Sequence, residues 1–327
     1  MLVSLIRESD VVINCVVPFS LFGMPVLEAA IEAKVNYLDI CDDPKPTKEM
    51  HELNNRAKES EITAIIGVGA SPGITNMLAA KAKAKLNETH ELTTVWNIEE
   101  PVGDDNKLVF SAAIIHWMEQ CSGTILECEN GTLVENPPLT DISLNYPGRG
   151  KRTVYFVGHP EPVSFFYSYP GLKQSHCAMV MPQLWIREFR KLSKAIDNSD
   201  MTLEEAGKKL IEGSTSNFFF SNMMDRIIRL FTPRFPIFFV IAKGLKDGTL
   251  TRVATSIKSI PPGMANATGI PLAMGTLLFM RGKVLQKGVI APEIAFEADE
   301  FFNLLAPYCT FPKKWPPSLL IETLIFN

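Results

Sequence analysis

The sequence predicts an α/β protein: a parallel sheet built from strand–helix units, followed by a second α+β domain with a mixed or antiparallel sheet. Three observations carry this. Strand and helix patterns alternate three times in the first third of the chain, as βαβ units with right-handed crossovers do. After about residue 87 the pattern turns to short β-rich runs with hairpin signals. A length of 327 residues has room for about two domains at roughly 150 residues each.

Residues 10–17, DVVINCVV, form a short continuous β-branched run, the pattern of a strand buried on both faces. Pro18 and Gly23 punctuate it, and Pro25 to Val35 reads as a helix with proline in its first turn. A second strand follows at 36–41 (NYLDIC), then an exposed helix over 47–60, with Met50, Leu53 and Ala57 at helical spacing. ITAIIGVG (62–69) is the third strand and residues 74–86 the third helix. Beyond it, TTVWNI (93–98), GTILECENGTLVE (123–135), RTVYFVG (152–158) and SFFYSY (164–169) are β-rich. Asn130-Gly131 and Asp247-Gly248 mark hairpins. Helical stretches lie at 110–120, 183–196, 203–212, 269–281 and 297–305.

Composition sets limits. Apolar residues make up 46% and charged residues 21%, globular values that exclude disorder and fibrous repeats. A net charge of −4 gives no basic excess for a nucleic-acid partner. The six cysteines are too sparse for a disulfide scaffold and contain no CxxC pair, so no metal is expected and a reducing, cytoplasmic compartment fits. Arg7, Glu8 and Asp10 break the apolar N-terminus, which does not read as a signal peptide. Residues 217–242 are strongly apolar, but Asp225, Arg226, Arg229 and Arg234 interrupt them short of a membrane span; a buried helix pair or a peripheral membrane contact are the two readings.

Ligands of parallel sheets bind beyond the carboxyl ends of the strands, so the loops Asn14–Ser20, Cys41–Pro44 and Gly67–Gly73 are the candidates. The third reads GxGxxxG rather than GxGxxG, and Pro72 removes an N–H where a phosphate cradle needs donors. A turn that brings backbone close to a ligand and a plain tight turn both remain open for it.

These segments carry a resemblance. DVVINCVVPFSLFGMPVLEAAIEAKVNYLDICDD (10–43), IIGVGASPGITNMLA (65–79), GHPEP (158–162) with PGL (170–172), and ATGIPLAMGTLLFMRGKVLQKGVIAPE (267–293) resemble, in order, segments of the saccharopine dehydrogenase family. The resemblance implies a Rossmann-type domain over 1–88, a substrate domain over 89–300, and a C-terminal segment, 301–327, returning to the first domain. It implies NAD(P)-linked redox chemistry at a C–N bond of an amino-acid-like small molecule, with a homodimer as an assembly consistent with it. No GxGxxG occurs in the chain, and the family's glycine-rich first half does not precede DVVINC. The sheet is therefore expected to be incomplete and the gene product truncated, with NAD or NADP bound weakly or not at all. A non-catalytic binding or scaffold protein on the same fold is the alternative.

The resemblance places Asn14, Cys15, Pro18, Cys41, Gly69, Ser71, Pro72 and Gly73 beside the cofactor. Asp42 is a carboxylate able to hold a substrate amine or take a proton, against helix capping as its plain role. His159 suits acid–base work near neutral pH, although a histidine before proline is as often structural. Arg149 and Arg152 are candidate carboxylate clamps. Thr268, read as the start of a helix, offers N–H donors to a substrate carboxylate, or an ordinary cap. Asn14, Asp42, Ser71 and the GHPEP loop are expected to converge on one cleft.

Overall fold

The computed structural model describes residues 1–98, 112–212, 234–310 and 320–326. The first sheet is parallel, with β1 (Val11–Asn14), β2 (Asn36–Asp39) and β3 (Thr63–Ile65) side by side in chain order. A short α1 (Leu2–Ile6) precedes it; α2 (Phe19–Ala33) joins β1 to β2, and α3 (Pro44–Glu52) with α4 (Asn54–Glu59) joins β2 to β3. α2 starts earlier than the sequence suggested, so Pro25 stands inside the helix. Phe19 and Leu27 are fully packed there, and their burial outweighs the hydrogen bond that Pro25 cannot make.

α5 (Ile74–Lys83) leaves β3 through the Gly67–Gly73 loop and runs into the second unit. None of its residues is exposed. Its side chains Ile74, Met77, Leu78 and Ala82 share one core with Leu38 and Ile65 of the first sheet and Val240 and Val253 of the second. A helix apolar on most faces is a buried helix, and α5 lies between the two sheets.

The second sheet is mixed and nine-stranded. β4 (Glu88–Asn97) crosses its centre; after α6 (Ala112–Gln120) come the hairpin β5 (Ile125–Glu129) and β6 (Thr132–Asn136), then β7 (Asp141–Tyr146) and β8 (Gly150–Phe156). α7 (Glu161–Ser168) follows, then β9 (Gln174–Val180), α8 (Gln183–Asp197) and α9 (203–212). β10 (Phe238–Lys246) and β11 (Thr249–Ile257) form the last hairpin. β4 pairs in parallel with β9 and antiparallel with β10. Both predicted hairpin turns carry positive φ at their two central residues, 50° and 75° at Asn130-Gly131 and 51° and 76° at Asp247-Gly248, as two-residue turns of that hand require.

α10 (Met264–Met280) leads to β12 (Gly288–Ile290), which returns to the first sheet and pairs in parallel with β3. α11 (Pro292–Ala295) and α12 (Ala298–Leu305) follow, and β13 (Ile321–Phe326) pairs with β11 of the large sheet. The strands thus cross the expected boundaries: 288–290 belongs to the parallel sheet, and 321–326 adds to the second sheet rather than returning to the first. β1 is an edge strand, and Ile13, Val16, Val17 and Leu21 beside it are exposed.

One segment reads differently from its sequence. SFFYSY, expected to be β-rich, lies largely within α7. Pro160 at the cap and Pro162 in the first turn set helical φ, and Glu161, Phe165 and Tyr169 fall four apart on the buried face. Periodic burial overrides the β preference of the aromatics. No helix among the described residues is long and apolar enough to cross a membrane, and residues 217–233 of the apolar stretch lie outside the described residues.

The Gly67–Gly73 turn is where a side chain is least tolerated. Gly73 has φ +124°, and a Cβ there would sit 2.0 Å from the Gly69 carbonyl oxygen. Gly73→Ala is expected to cost about 3 kcal/mol or more in denaturant unfolding. Gly269→Ala, on an open face of α10 with nothing within 4 Å, is expected to change stability by less than about 1 kcal/mol or to raise it.

Candidate active site

The carboxyl ends of β1, β2 and β3 are tied by one buried carboxylate. Asp39 ends β2 fully buried, and its Oδ1 accepts the backbone N–H groups of Gly67 at 2.7 Å and Cys41 at 3.0 Å. Its Oδ2 accepts the Tyr37 hydroxyl at 2.9 Å, and that hydroxyl in turn accepts Asn14 Nδ2 at 3.0 Å. Burial pushes Asp39 up to about 6, against the three hydrogen bonds that favour its charge. Asn14 is thereby fixed at the strand end. Cys41 is buried as a thiol well above its ordinary range, because desolvation and the Asp39 charge oppose a thiolate.

The Gly67–Gly73 loop closes on itself. Gly69 N–H bonds Pro72 O at 2.8 Å and Ile74 N–H bonds Gly69 O at 3.0 Å. Gly73 N–H is taken by Asn76 Oδ1 at 2.8 Å, and Thr75 N–H by Ala70 O at 3.3 Å. The N–H donors of Gly69, Gly73, Ile74 and Thr75 are spent inside the turn, and the missing Cβ of Gly73 leaves room for the protein's own backbone rather than for a ligand. This loop does not fit a dinucleotide phosphate.

What the loop does present is Ser71. Its hydroxyl donates to Glu161 Oε1, and Thr75 donates to the same oxygen at 2.7 Å. Glu161 Oε2 meets His159 Nδ1. All four side chains are buried, His159 and Glu161 completely. Burial alone would raise Glu161, but the His159 charge and the three donors hold it below its ordinary value, so it is a carboxylate. Asn76 extends the network, donating to Ser164 Oγ at 3.1 Å and to Glu293 Oε2 at 2.8 Å. Glu293 is raised by burial. Nε2 of His159 is buried and has no partner among the described residues; in the tautomer that directs Nδ1–H at Glu161 it is an acceptor. The ring of Trp96 meets it edge-on, centroids 4.8 Å apart.

A second cluster lies in the loop after β2. His116 of α6 stands 3.4 Å from Asp42 Oδ2 through Nε2 and 3.4 Å from Asp43 Oδ1 through Nδ1, with Glu119 at 3.6 Å. Burial lowers the imidazole's affinity for a proton, but the Glu119 hydrogen bond and the charges of Asp42 and Asp43 outweigh it, to about 9. Asp43 is itself pushed to about 6 by burial, which exceeds the help it receives from His116; His159 acts on it in the same sense from the other side. Asp42, Asp43 and His116 each place a donor atom within 4.8 Å of the others, as do His159, Glu161 and Cys177. Neither set is arranged for a metal. His116 Nε2 already meets the Gln120 side-chain amide at 2.8 Å, and the ring, raised to about 9, carries protons rather than a free lone pair. Glu161 already accepts three donors, and burial keeps the Cys177 thiol protonated.

Residues 1–65 match the family model for the saccharopine dehydrogenase NADP binding domain. The chain is similar to that domain over these residues. It is 25% identical over 305 residues to carboxyaminopropylagmatine dehydrogenase of Synechocystis sp., covering 87% of this chain and 74% of that protein. Carboxynorspermidine synthase of Vibrio cholerae is 31% identical over 174 residues, 49% of this chain and 41% of that protein. Apo saccharopine dehydrogenase (L-Glu forming) of Saccharomyces cerevisiae shares the fold at a TM-score of 0.56 and 15% identity, covering 99% of this chain and 86% of that one. Homospermidine synthase of Legionella pneumophila, solved with NAD, does so at 0.53 and 11%, covering 94% and 75%.

Side-chain contacts bring Ser71 to Glu161 and His159, and Asp42 and Asp43 to His116. Cys15 and Pro18 are exposed beyond the end of β1. Gly69 packs closely under Thr268, whose methyl lies 3.3 Å from where a Gly69 Cβ would be. Thr268 is inside α10 rather than at its start, because the helix begins at Met264 after a left-handed Gly263, so its N–H is part of the helix ladder. Arg149 and Arg152 do not join the cluster. Arg149 stacks on Tyr146 in the β7–β8 turn, and Arg152 lies about 13 Å of strand before Phe156, at the end of β8 away from His159. Asp39, Glu161 and His116 carry more of the site than the sequence indicated. An aspartate closing a buried strand was a visible signal for the first.

Two histidines give the stability profile its limbs. His116, raised to about 9, contributes stability that is complete below about pH 6.5 and is lost as pH climbs through 9. His51, packed on Tyr167 and lowered by burial to about 4, contributes the opposite limb, complete above about 6.5 and lost as pH falls toward 4. Denaturant midpoints are expected to decline between pH 7 and 10, while below about pH 6 the loss from His51 is opposed by Asp39 and Asp43, whose carboxyls, raised to about 6, gain stability as pH falls. His116→Ala is expected to flatten the alkaline limb and leave the acid one.

Proposed function

We propose that this chain handles the substrate of a nicotinamide-dependent oxidoreductase acting on a C–N bond, with a carboxylated polyamine or related amino acid as substrate. The observation that carries the reading is His159, buried beyond the parallel sheet, with Nδ1 on Glu161 and Nε2 without a partner among the described residues. A base with one nitrogen oriented by a carboxylate and the other unengaged is suited to move a proton on a substrate nitrogen. The names of the relatives, a carboxyaminopropylagmatine dehydrogenase and a carboxynorspermidine synthase, point to the substrate class.

In the oxidative direction the carbon gives up a hydride as its amine becomes an imine, and the amine proton passes to His159 Nε2. A nicotinamide, when bound, carries the hydride. Glu161 holds the ring's tautomer and balances the imidazolium that forms; Ser71 and Thr75 hold Glu161 in turn. Asp42 and Asp43 offer carboxylates to the distal ammonium, with His116 neutralising them until substrate arrives.

With a carboxylated polyamine and millimolar NADPH or NADH, His159→Asn is expected to lower kcat about 10²- to 10⁴-fold, and Glu161→Gln about 10- to 100-fold. An unchanged rate in His159→Asn, or no turnover of any such substrate by the wild type, overturns the reading. Because the Gly67–Gly73 donors are engaged within the turn, calorimetric titration is expected to give dinucleotide constants near millimolar. That is about a thousandfold weaker than a micromolar site, a difference of about 4 kcal/mol. A micromolar constant would show another phosphate site.

A further inference from the structure

Two of the buried polar atoms that lack a partner among the described residues belong to rings in contact with each other: Nε2 of His159 and Nε1 of Trp96. The rings meet at 63°, and His159 directs its other nitrogen to Glu161. Trp96 is held by its strand. It lies near the carboxyl end of β4, with Phe238 of β10 on one side in register and Met179 of β9 on the other. Its indole also packs against the Phe238 ring, centroids 6.1 Å apart.

The two atoms ask for opposite things. An indole N–H is a donor only, so its partner is an acceptor. Nε2 of the Nδ1–H tautomer is an acceptor, so its partner is a donor. An amine nitrogen and a carboxylate oxygen on the same carbon supply that pair side by side. Resting on the proton role given above to His159, we propose that Trp96 is a positioning residue that grips the substrate carboxylate. Its indole N–H holds an oxygen on the carbon next to the nitrogen served by His159. Glu161, Asp42 and Asp43 make the surroundings acidic, so a free anion is disfavoured there. The carboxylate enters only on a molecule that also carries ammonium groups.

The indole N–H reports this without turnover. In protein labelled with ¹⁵N-tryptophan, Trp96→Phe identifies its signal among the four tryptophans. L-2,4-diaminobutyrate is expected to move that signal downfield, while putrescine, which has no acceptor oxygen, and acetate, which has no ammonium, leave it in place. No shift with diaminobutyrate means that a trapped water completes the two atoms, and overturns the proposal. An equal shift with putrescine overturns it as well. In turnover, Trp96→Phe, folded and melting within a few degrees of the wild type, is expected to raise KM for the carboxylated substrate about 10- to 100-fold with kcat changed less than about threefold. A kcat loss with unchanged KM overturns the assignment. If the indole shift is seen but His159→Asn keeps full activity, the proton role of His159 fails while the carboxylate contact of Trp96 stands.

Discussion

The site depends on keeping one carboxylate ionised where there is no water. Glu161 is completely buried, and a buried charge is tolerated only when hydrogen bonds replace its hydration. Ser71 and Thr75 provide this on one oxygen and His159 on the other. Those partners come from different parts of the fold: the turn after β3, the first turn of α5, and the loop before α7. The carboxylate therefore fixes the parallel sheet against the second unit. Losing any one donor leaves the charge uncompensated, which is why the Gly67–Gly73 turn is so tightly closed. The turn delivers Ser71 to Glu161, and the same turn engages the N–H groups of Gly69 and Gly73.

The acidic character of the strand ends follows from a similar economy of donors. Asp39 binds two backbone N–H groups that would otherwise be orphaned where β2 and β3 open into loops. Asp42 and Asp43 continue the same loop, and there the compensating charge comes from His116, on a helix of the other unit. Two contacts, Glu161 with Ser71 and His116 with Asp42 and Asp43, thus span from one sheet to the other. Both join groups of opposite character, so the relative placement of the sheets is set by electrostatics as well as by the apolar face of α5.

The parallel unit was legible because short runs, β-branched in β1 and β3, alternate with helical spacing between turn residues, and the Asn-Gly and Asp-Gly turns were legible because few other pairs accept positive φ twice in succession. β12 was not, since three residues buried by neighbours carry no period. α7 was hidden by its aromatics. At the site, Asn14, Asp42, Ser71 and His159 could be picked out as polar residues at strand ends or in a distinctive loop. The importance of Glu161 could not, because it arises from partners at residues 71, 75 and 159 that only tertiary packing brings together. His116 was equally invisible: a histidine on a helix says nothing of carboxylates some 70 residues earlier. Arg149 and Arg152 looked like clamps by residue type alone, and β8 carries them to its far end.

The return of β12 to the first sheet bears on how the molecule is made. Gly288–Ile290 pairs with Thr63–Ile65, a closure across more than 220 residues, and Asn54 and Gln286 add hydrogen bonds to the same seam. Until that segment leaves the ribosome, β3 is an open edge, as β1 is on the opposite side. At roughly 5–20 residues per second the interval is on the order of 10–45 s. During it the β3 edge stands unpaired, a template for pairing with other nascent chains. The strand order therefore makes synthesis, rather than the finished protein, the stage at which this fold is most exposed to misassembly.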